Sequence, residues 1–466
     1  MSNVWKILEK LYICQMPTSQ TNEANVMTDI FERIEKDGVR FVNLQFSDLF
    51  GMVKGITIPA KHLDNALSHG AWFDGSSVEG FARIHESDMY LKPDPSTYAV
   101  IPWFNSSDGH TARFICDVYN PDGKPFEGDP RHILKKTIAE AKELGMDYNT
   151  GPEMEFFLFR KENGTLKALP HDKGGYFDFN ADQAYDIRKD MKVALEAFGI
   201  NVEASHHEVA LGQHEIDFKY DKALKSADSA ATLRVVLKAI AQKNDLHATF
   251  MAKPIPGING SGMHVHQSMF RGEENAFYDA SDRYGLSKTA YSFIAGQLEH
   301  AKAMSAILSP TVNSYKRLVA GYEAPVYISW ARTNRSALIR IPRISANRAS
   351  STRMELRCPD PTCNIYLAFA VMLKAGLDGI KRDLVPPESV EENLFHFDDK
   401  KLAEKRLSTL PGSLGRALDE LALDPLMKEA LGEHTFSRYL DAKKKEWDSF
   451  RLSVSQWELD NYLERY

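Results

Sequence analysis

The chain has 466 residues, 43% of them hydrophobic, and a formal net charge of −7. An acidic balance argues against a nucleic-acid-binding face, which carries a basic excess, and is compatible with a site that gathers cations. None of the four cysteines sits in a C-x-x-C pair, so neither a thiolate metal site nor a disulfide framework is expected, and a reducing cytoplasm fits.

Residues 1–22 form an extension that ends in a polar patch from Pro17 to Asn22. Charges interrupt every apolar run between Val4 and Cys14, so this is not a signal-peptide core. A short helix is expected over Thr28 to Lys36 and a strand over Val39 to Phe46. From Asp48 to Trp103, glycine, proline and serine recur, as in a small β-rich domain. Asn120-Pro-Asp-Gly123 signals a turn, and Asp129-Pro130 supplies the N-cap and first position of a helix that stops at Gly145. A domain boundary is expected near residue 125. Beyond it, strands are expected at Thr150 to Arg160, Val202 to Val209, Glu215 to Phe218, Ala248 to Lys253 and Gly262 to Met269. Helices are expected at Ala181 to Phe198, Ser226 to Lys243, Leu286 to Leu308 and Cys363 to Arg382. The apolar run from Ile365 to Leu373 is too short to span a bilayer and describes a buried helix. The expected class is α+β, with a small sheet domain ahead of a large mixed one.

Three segments carry chemistry. In Gly151-Pro-Glu153-Met-Glu155-Phe-Phe157 the glutamates are two apart, so on a strand they project from one face. Two like charges in an apolar run are unfavourable without a cation between them. The alternative is a solvent-facing edge strand, although Met154 and Phe156 have the character of a core. In Glu208-Val-Ala-Leu-Gly212-Gln-His-Glu215 the carboxylates would oppose each other on a straight strand, and a turn at Gly212 would bring them to one side. In Asn259-Gly-Ser-Gly-Met-His264-Val-His266 the glycines permit close backbone approach and the histidines share a strand face. Either satisfied polar groups or ligands fit that pair. An excess of carboxylate without cysteine favours Mg²⁺ or Mn²⁺ over zinc.

Residues 332–357 hold Arg332, Arg335, Arg340, Arg343, Arg348, Arg353 and Arg357 and no lysine. A solvated basic face would mix the two types, whereas the planar fork of arginine suits carboxylate and phosphate. Several of the seven are equally compatible with surface ion pairs. Glu355 and Arg357 share a strand face. No P-loop or G-x-G-x-x-G element occurs, so a bound nucleotide would be held by cations and arginines.

Together, Asp74-Gly-Ser-Ser77, Gly151-Pro-Glu-Met-Glu155, Asn259-Gly-Ser-Gly-Met-His264, Asn313-Ser-Tyr-Lys-Arg317 with Gly321-Tyr-Glu323-Ala-Pro325, and Asn334-Arg-Ser-Ala-Leu-Ile-Arg340-Ile-Pro342 resemble the glutamine synthetases of the bacterial and archaeal type I. The segment from Glu208 to Glu215 resembles their alpha subtype. The resemblance runs in order from about residue 25 to the C-terminus.

It implies an N-terminal extension (1–22), a β-grasp domain (23–124) and a catalytic α/β domain with a curved antiparallel sheet (125–466). It implies one metal on Glu155, Glu208 and Glu215 and another on Glu153, His264 and Glu355. Glutamate would sit on Asn259, Gly260, Arg317, Glu323, Arg335 and Arg357. ATP would contact Glu203, Phe218, Lys219, Tyr220, His266, Gln267, Ser268, Arg335 and Arg340. The catalytic groups would be Asp74, Glu323, Arg335 and Arg340, with Glu323 on a flap and Asp74 reaching the site of a neighbouring subunit. The implied reaction joins ammonium to L-glutamate with ATP, through γ-glutamyl phosphate, in a cytoplasmic dodecamer of two hexameric rings. No membrane and no direct nucleic-acid contact are expected. Arg83 matches an arginine linked to glutamine feedback. Phe395 stands where some members carry a modifiable tyrosine, so adenylylation is not expected. The loop from Arg343 to Asn347 is slightly longer than the family's. Two other readings are a glutamate–amine (polyamine) ligase of the same superfamily and a non-catalytic regulatory homologue.

Overall fold

The computed structural model describes residues 28–78, 80, 88–104, 107–162, 165–178, 182–319, 324–344, 349–394, 397, 399–405 and 407–466. Over them the chain builds two sheets. The first contains β1 (Val39–Ser47), β2 (Val53–Pro59), β3 (Ala71–Asp74), β4 (Asp88–Pro93), β5 (Ala99–Val100) and β6 (His110–Tyr119), in the order β2-β1-β6-β4-β3 with β5 beside β6. Its own core includes Val42, Leu44, Leu91 and Phe114, and the central pair β1–β6 runs parallel. This is the β-grasp arrangement expected from the sequence.

The second sheet is larger. Its strands are β7 (Asp147–Glu162), β8 (Thr165–Pro170), β9 (Val202–His207), β10 (Gln213–Phe218), β11 (Asp221–Lys222), β12 (Leu246–Thr249), β13 (Val265–Arg271), β14 (Glu274–Asn275), β15 (Tyr327–Ala331), β16 (Ala337–Arg340) and β17 (Met354–Leu356). The main path is β15-β16-β17-β13-β7-β10-β9. The sheet is curled and mixed rather than wholly antiparallel, because β15 and β16 pair in parallel. Along β7, Met154, Phe156 and Leu158 turn into the main core, under helices that include Ala223–Lys243 and Ile365–Lys381. Period-2 alternation then points Glu153 and Glu155 to the other face.

Local chemistry sets the helix starts. Asp129 caps Pro130–Glu143 by accepting from the Arg131 amide at 3.0 Å. Asn364 caps Ile365–Lys381 and also donates to the carbonyls of Asp48 and Leu49, tying that buried helix to the first sheet. Between the two sheets the Arg131 guanidinium meets Asp94, Asp117 and Asp228 at 2.7–2.8 Å. One guanidinium therefore ties the neighbouring strands β4 and β6 of the first sheet to the helix Ala223–Lys243, which carries Asp228.

Three expectations change. The stretch from Leu286 to Leu308 is two helices, Lys288–Glu299 and Ala301–Leu308. They part at His300, whose ring bonds Asp424 and Asp378. The strand expected to reach Lys253 ends at Thr249, where Asn313 exchanges hydrogen bonds with the Lys253 backbone instead. The strand expected to reach Val209 ends at His207, before the hairpin turn. Among the described residues, no helix is long and apolar enough to cross a membrane.

Candidate active site

The open face of the second sheet collects the charged side chains, and register decides which of them meet. β7 and β10 pair Glu155 with Glu215 and Glu153 with Asp217. β10 and β9 pair Glu215 with His206. At the hairpin end, Gly212 adopts φ +67°, the Gln213 amide donates to Ala210 O and the Glu208 amide donates to Gln213 O at 2.8 Å. The chain reverses, and Glu208 comes to the face that carries Glu215. On the other side, β13 brings His266 opposite Glu355, and β16 brings Arg340 opposite Glu355.

The glycines of the 259–262 segment answer to space. A Cβ on Gly260 would lie 2.1 Å from Ala252 O, and one on Gly262 would lie 2.5 Å from an Arg317 nitrogen. This close passage lets the Gly262 amide donate to Glu155 Oε2 at 2.9 Å, where Gln213 Nε2 also donates at 2.8 Å.

Two cavities open on this face. One, of about 500 Å³, is lined by Glu153, Glu155, Glu208, Glu215, Asn259, Gly260, His264, Arg317, Arg335, Arg340, Glu355 and Arg357 among others. The other, of about 410 Å³, is lined by Glu203, Phe218, Tyr220, His266 and Ser268, with Arg353 and Ser350 to Thr352. Glu153 and Asp217 line both and stand on the wall between them.

Some of the expected residues face two ways, and some stand elsewhere. Gln267 lines the second cavity, while its side-chain amide bonds Tyr148 and Gln297 in the core, because alternation that turns His266 outward turns Gln267 inward. Lys219 lines a separate surface cavity with Lys222 and Lys225. Arg317 lines the first cavity, and its guanidinium donates to the carbonyls of Arg357, Cys358 and Pro359, bracing the cavity wall. Asp74 is exposed at the end of β3 and does not line the cavity of its own chain. Glu323, Arg83, Phe395 and most of the loop from Arg343 to Asn347 lie outside the described residues, as does the extension 1–22.

His206, Asp217 and Tyr176, which the sequence had not singled out, and Arg353, one of the seven arginines left without a role, also line the two cavities. His206 precedes Glu208 by two and Asp217 follows Glu215 by two, so the alternation that singled out Glu153 and Glu155 also marks them. Tyr176 and Phe177 meet the His206 ring edge-on. Arg353 donates to His266 Nδ1 at 3.2 Å.

Four groups among the described residues offer ligand atoms within 4.8 Å of one another, and two of them lie on this face, namely Glu153, His264 and Glu355, and His206, Glu208 and Glu215. The first is already compensated. Burial opposes ionisation of Glu153, but hydrogen bonds from His264 (3.1 Å) and His266 (2.6 Å) hold its carboxyl below the ordinary range. Glu355 is paired by Arg357 at 2.5 Å and Arg340 at 2.8 Å. Burial, with Arg357 beside it, pushes His264 down, and a neutral imidazole keeps a lone pair for a cation. The second group, with Glu155 beside it, is less fully compensated: among the described residues no arginine pairs with it directly, and His206 lies 3.5 Å from Glu208 and 3.6 Å from Glu215. Burial, then the Glu208 carboxylate, raises Glu155 to about 8, and burial with the Glu155 charge raises Glu215 further. Carboxylates crowded with so little counter-charge fit a divalent cation, and their oxygens suit Mg²⁺ or Mn²⁺.

A pH dependence follows. Glu155 ionises near 4.5 in the unfolded chain and near 8 in the metal-free fold, so between those values the folded state binds more protons. Stability of the metal-free protein then falls as pH rises through that window, by at most about 1.4 kcal/mol per pH unit for one such group. Unfolding midpoints in chelator are expected to drop from about pH 5 to about pH 8, with Mn²⁺ raising them most at the higher pH. A gap between chelator and Mn²⁺ that ignores pH would contradict the assignment.

A sheet face with carboxylates and histidines on one side, arginines on the other and two adjoining cavities defines a metal-dependent enzyme for anionic substrates. Comparison with known proteins narrows this. The family model described as glutamine synthetase, catalytic domain, matches residues 127–462, and the one described as glutamine synthetase, beta-Grasp domain, matches 38–121. The glutamine synthetase of Clostridium saccharobutylicum is 52% identical over 440 residues, 94% of this chain and 98% of that protein. That of Halobacterium salinarum is 51% identical over 456 residues, 96% of this chain and all of that one. Among solved structures, a GmaS–ADP complex matches with a TM-score of 0.85 at 30% identity, covering 94% of this chain and all of that one. The Plasmodium falciparum glutamine synthetase matches with a TM-score of 0.83 at 27% identity, covering 93% and 98%. The chain belongs to the glutamine synthetase family.

Proposed function

We propose that the two adjoining cavities hold the two halves of one ligation, the nucleotide beside His266, Ser268, Glu203, Phe218 and Tyr220, and glutamate beside Asn259, Gly260, Arg335 and Arg357. The chain is a glutamate–ammonia ligase. It joins ammonia to L-glutamate with ATP, giving L-glutamine, ADP and phosphate. The observation that carries the site reading is Glu153 on the wall between the cavities, where a phosphoryl donor on one side meets a carboxylate acceptor on the other.

A carboxylate does not expel oxide when ammonia attacks. Phosphorylation of the glutamate side chain by the γ-phosphoryl group of ATP, with loss of ADP, replaces that leaving group by phosphate. Carboxylate and triphosphate repel, so positive charge must meet both. Arg335 and Arg340 face the transferring oxygens, and Arg357 faces the substrate carboxylate. Arg317 keeps the wall behind that carboxylate in place through its three carbonyl bonds. Divalent ions, when bound, neutralise phosphoryl oxygens as Lewis acids. Glu153, His264 and Glu355 would hold one, and Glu155, Glu208 and Glu215 another, with His206 beside the latter group. We assign Mg²⁺ or Mn²⁺ to both.

Ammonium must lose a proton before its nitrogen can attack the acyl phosphate. Asp74 of one subunit takes that proton in the site of its neighbour, and Glu323 completes the pocket and excludes water. The exposure of Asp74 at a strand end outside its own chain's cavity supports this role. The accompanying assembly is a cytoplasmic dodecamer of two hexameric rings, with residues 23–124 and 125–466 as its two domains. Asp74→Ala is expected to spare glutamate phosphorylation more than amide formation. Equal loss of both partial reactions would remove Asp74 from the base role.

The direct test is phosphate release by the purified protein as ATP, glutamate and ammonium are varied. Release is expected to require all three and to stop in chelator. Release that required a polyamine or another amine in place of ammonium would overturn the reading.

A further inference from the structure

The hairpin that presents Glu208 and Glu215 has a second, buried face. One position before each carboxylate stand His207 and His214, which alternation turns to the opposite side. Both are buried, and their rings meet edge-on with centroids 4.7 Å apart. His207 is held at both nitrogens. Nε2 donates to Asp172 Oδ1 at 2.7 Å, and Nδ1 donates to the main-chain oxygen of Glu208 at 2.7 Å. Carboxylate and carbonyl oxygens only accept, so both ring nitrogens carry hydrogen. The Asp172 side chain is as buried as the ring, and its ion-pair partner among the described residues is His207.

The carbonyl that His207 reaches lies where the β ladder gives out. A continuing ladder would aim the Gln213 amide at Glu208 O, but that amide goes to Ala210 O at 3.0 Å. The Glu208 peptide plane is therefore oriented through a side chain. His207 also accepts the Phe177 amide on its carbonyl oxygen at 3.3 Å, next to Tyr176, which lines the first cavity.

We propose that Asp172 and His207 are positioning residues for the Glu208 carboxylate, fixing the Glu208 peptide plane from behind the sheet and so the point at which its side chain meets the cation. The inference rests on the reading of Glu208 as a metal ligand. Rotation of that peptide plane would swing the Glu208 Cβ, while a metal tolerates only about 0.2 Å of error in ligand distance. Groups that orient a ligand from outside the coordination shell commonly change metal affinity about 10- to 100-fold.

The test is Mn²⁺ binding to the full-length protein without substrates, read from the electron paramagnetic resonance of free Mn²⁺. Asp172→Ala is expected to weaken one class of sites by about 10- to 100-fold. Its KM for Mn²⁺ is expected to rise, with kcat recovering at saturating metal. Asp172→Asn can turn its amide so that Nδ2 donates to Nε2 of a neutral ring while Nδ1–H stays on Glu208 O, and it is expected to keep most of the affinity. His207→Gln reaches one partner but not both and is expected to behave like Asp172→Ala. Should Asp172→Ala fail to fold, His207→Gln decides the matter against Asp172→Asn. Wild-type Mn²⁺ affinity in folded Asp172→Ala or His207→Gln overturns the inference, as does a fall in kcat that no metal concentration restores. Glu208→Ala separates the two readings. If it loses a class of sites that Asp172→Ala and His207→Gln retain, only the positioning role falls. If it binds Mn²⁺ as wild type does, the ligand reading falls and the inference with it.

Discussion

Replacing Glu153 by alanine is expected to lower kcat by about 10³-fold, about 4 kcal/mol of transition-state stabilisation. The carboxylate stands on the wall between the two cavities, where the proposed reaction would spread charge over the transferring phosphoryl group. It is also the acceptor for His264 and His266, at 3.1 and 2.6 Å. On the proposed metal assignment, alanine removes a cation ligand and releases a second ligand, His264, from its orientation. Glu153→Gln separates the two effects, because its amide oxygen still accepts from one histidine while the charge is gone. Its kcat is expected to stay closer to that of Glu153→Ala than to wild type. Because the Glu153 side chain retains 29% of its exposure, folding should change little. Steady-state kinetics at saturating ATP, glutamate and ammonium check this. A near-normal kcat in either variant would remove Glu153 from the metal set.

Glu355→Ala is expected to act on stability as strongly as on turnover. The Glu355 side chain is 1% exposed and lies between Arg357 at 2.5 Å and Arg340 at 2.8 Å. Removing it leaves the two guanidinium groups facing each other, and Arg357 is itself buried. Breaking a buried ion pair by deleting one partner costs about 3–5 kcal/mol, because the remaining charge has neither water nor counter-ion. Glu355→Gln keeps the volume and one acceptor and should cost less. The comparison is made on unfolding midpoints of the two variants in chelator, where loss of bound metal does not contribute. An unchanged midpoint for Glu355→Ala would show that the arginines find other partners. Turnover is expected to be lost in both variants, since neither retains the anionic oxygen.

Much of this face could be read from the chain because strand alternation is a local rule. Glu153 and Glu155 share a face with no information from elsewhere, and Gly212 marks a reversal that its positive φ requires. The same rule reaches His206 and Asp217, and it assigns Gln267 to the core once His266 is turned outward. Helix starts at Asp129 and Asn364 are local too, since the cap side chain bonds amides two or three residues away. Period and capping therefore determined the strands, most helix ends and the order of the ligands along the chain.

Register and long-range partners were decided only by the tertiary structure. Which carboxylate faces which depends on how β7, β10 and β13 slide past one another, and a shift of one residue would exchange the two faces. His300 divides one apolar helical stretch into two because its partners Asp424 and Asp378 come from distant segments. The division of the six proposed ligands into a well-compensated and a poorly compensated group follows from Arg340, Arg357 and His266 arriving on strands far from Glu153 in sequence. Spacing along the chain carries no term for those charges, and only folding brings them within a few ångströms, where they set the pKa values and the place of a cation.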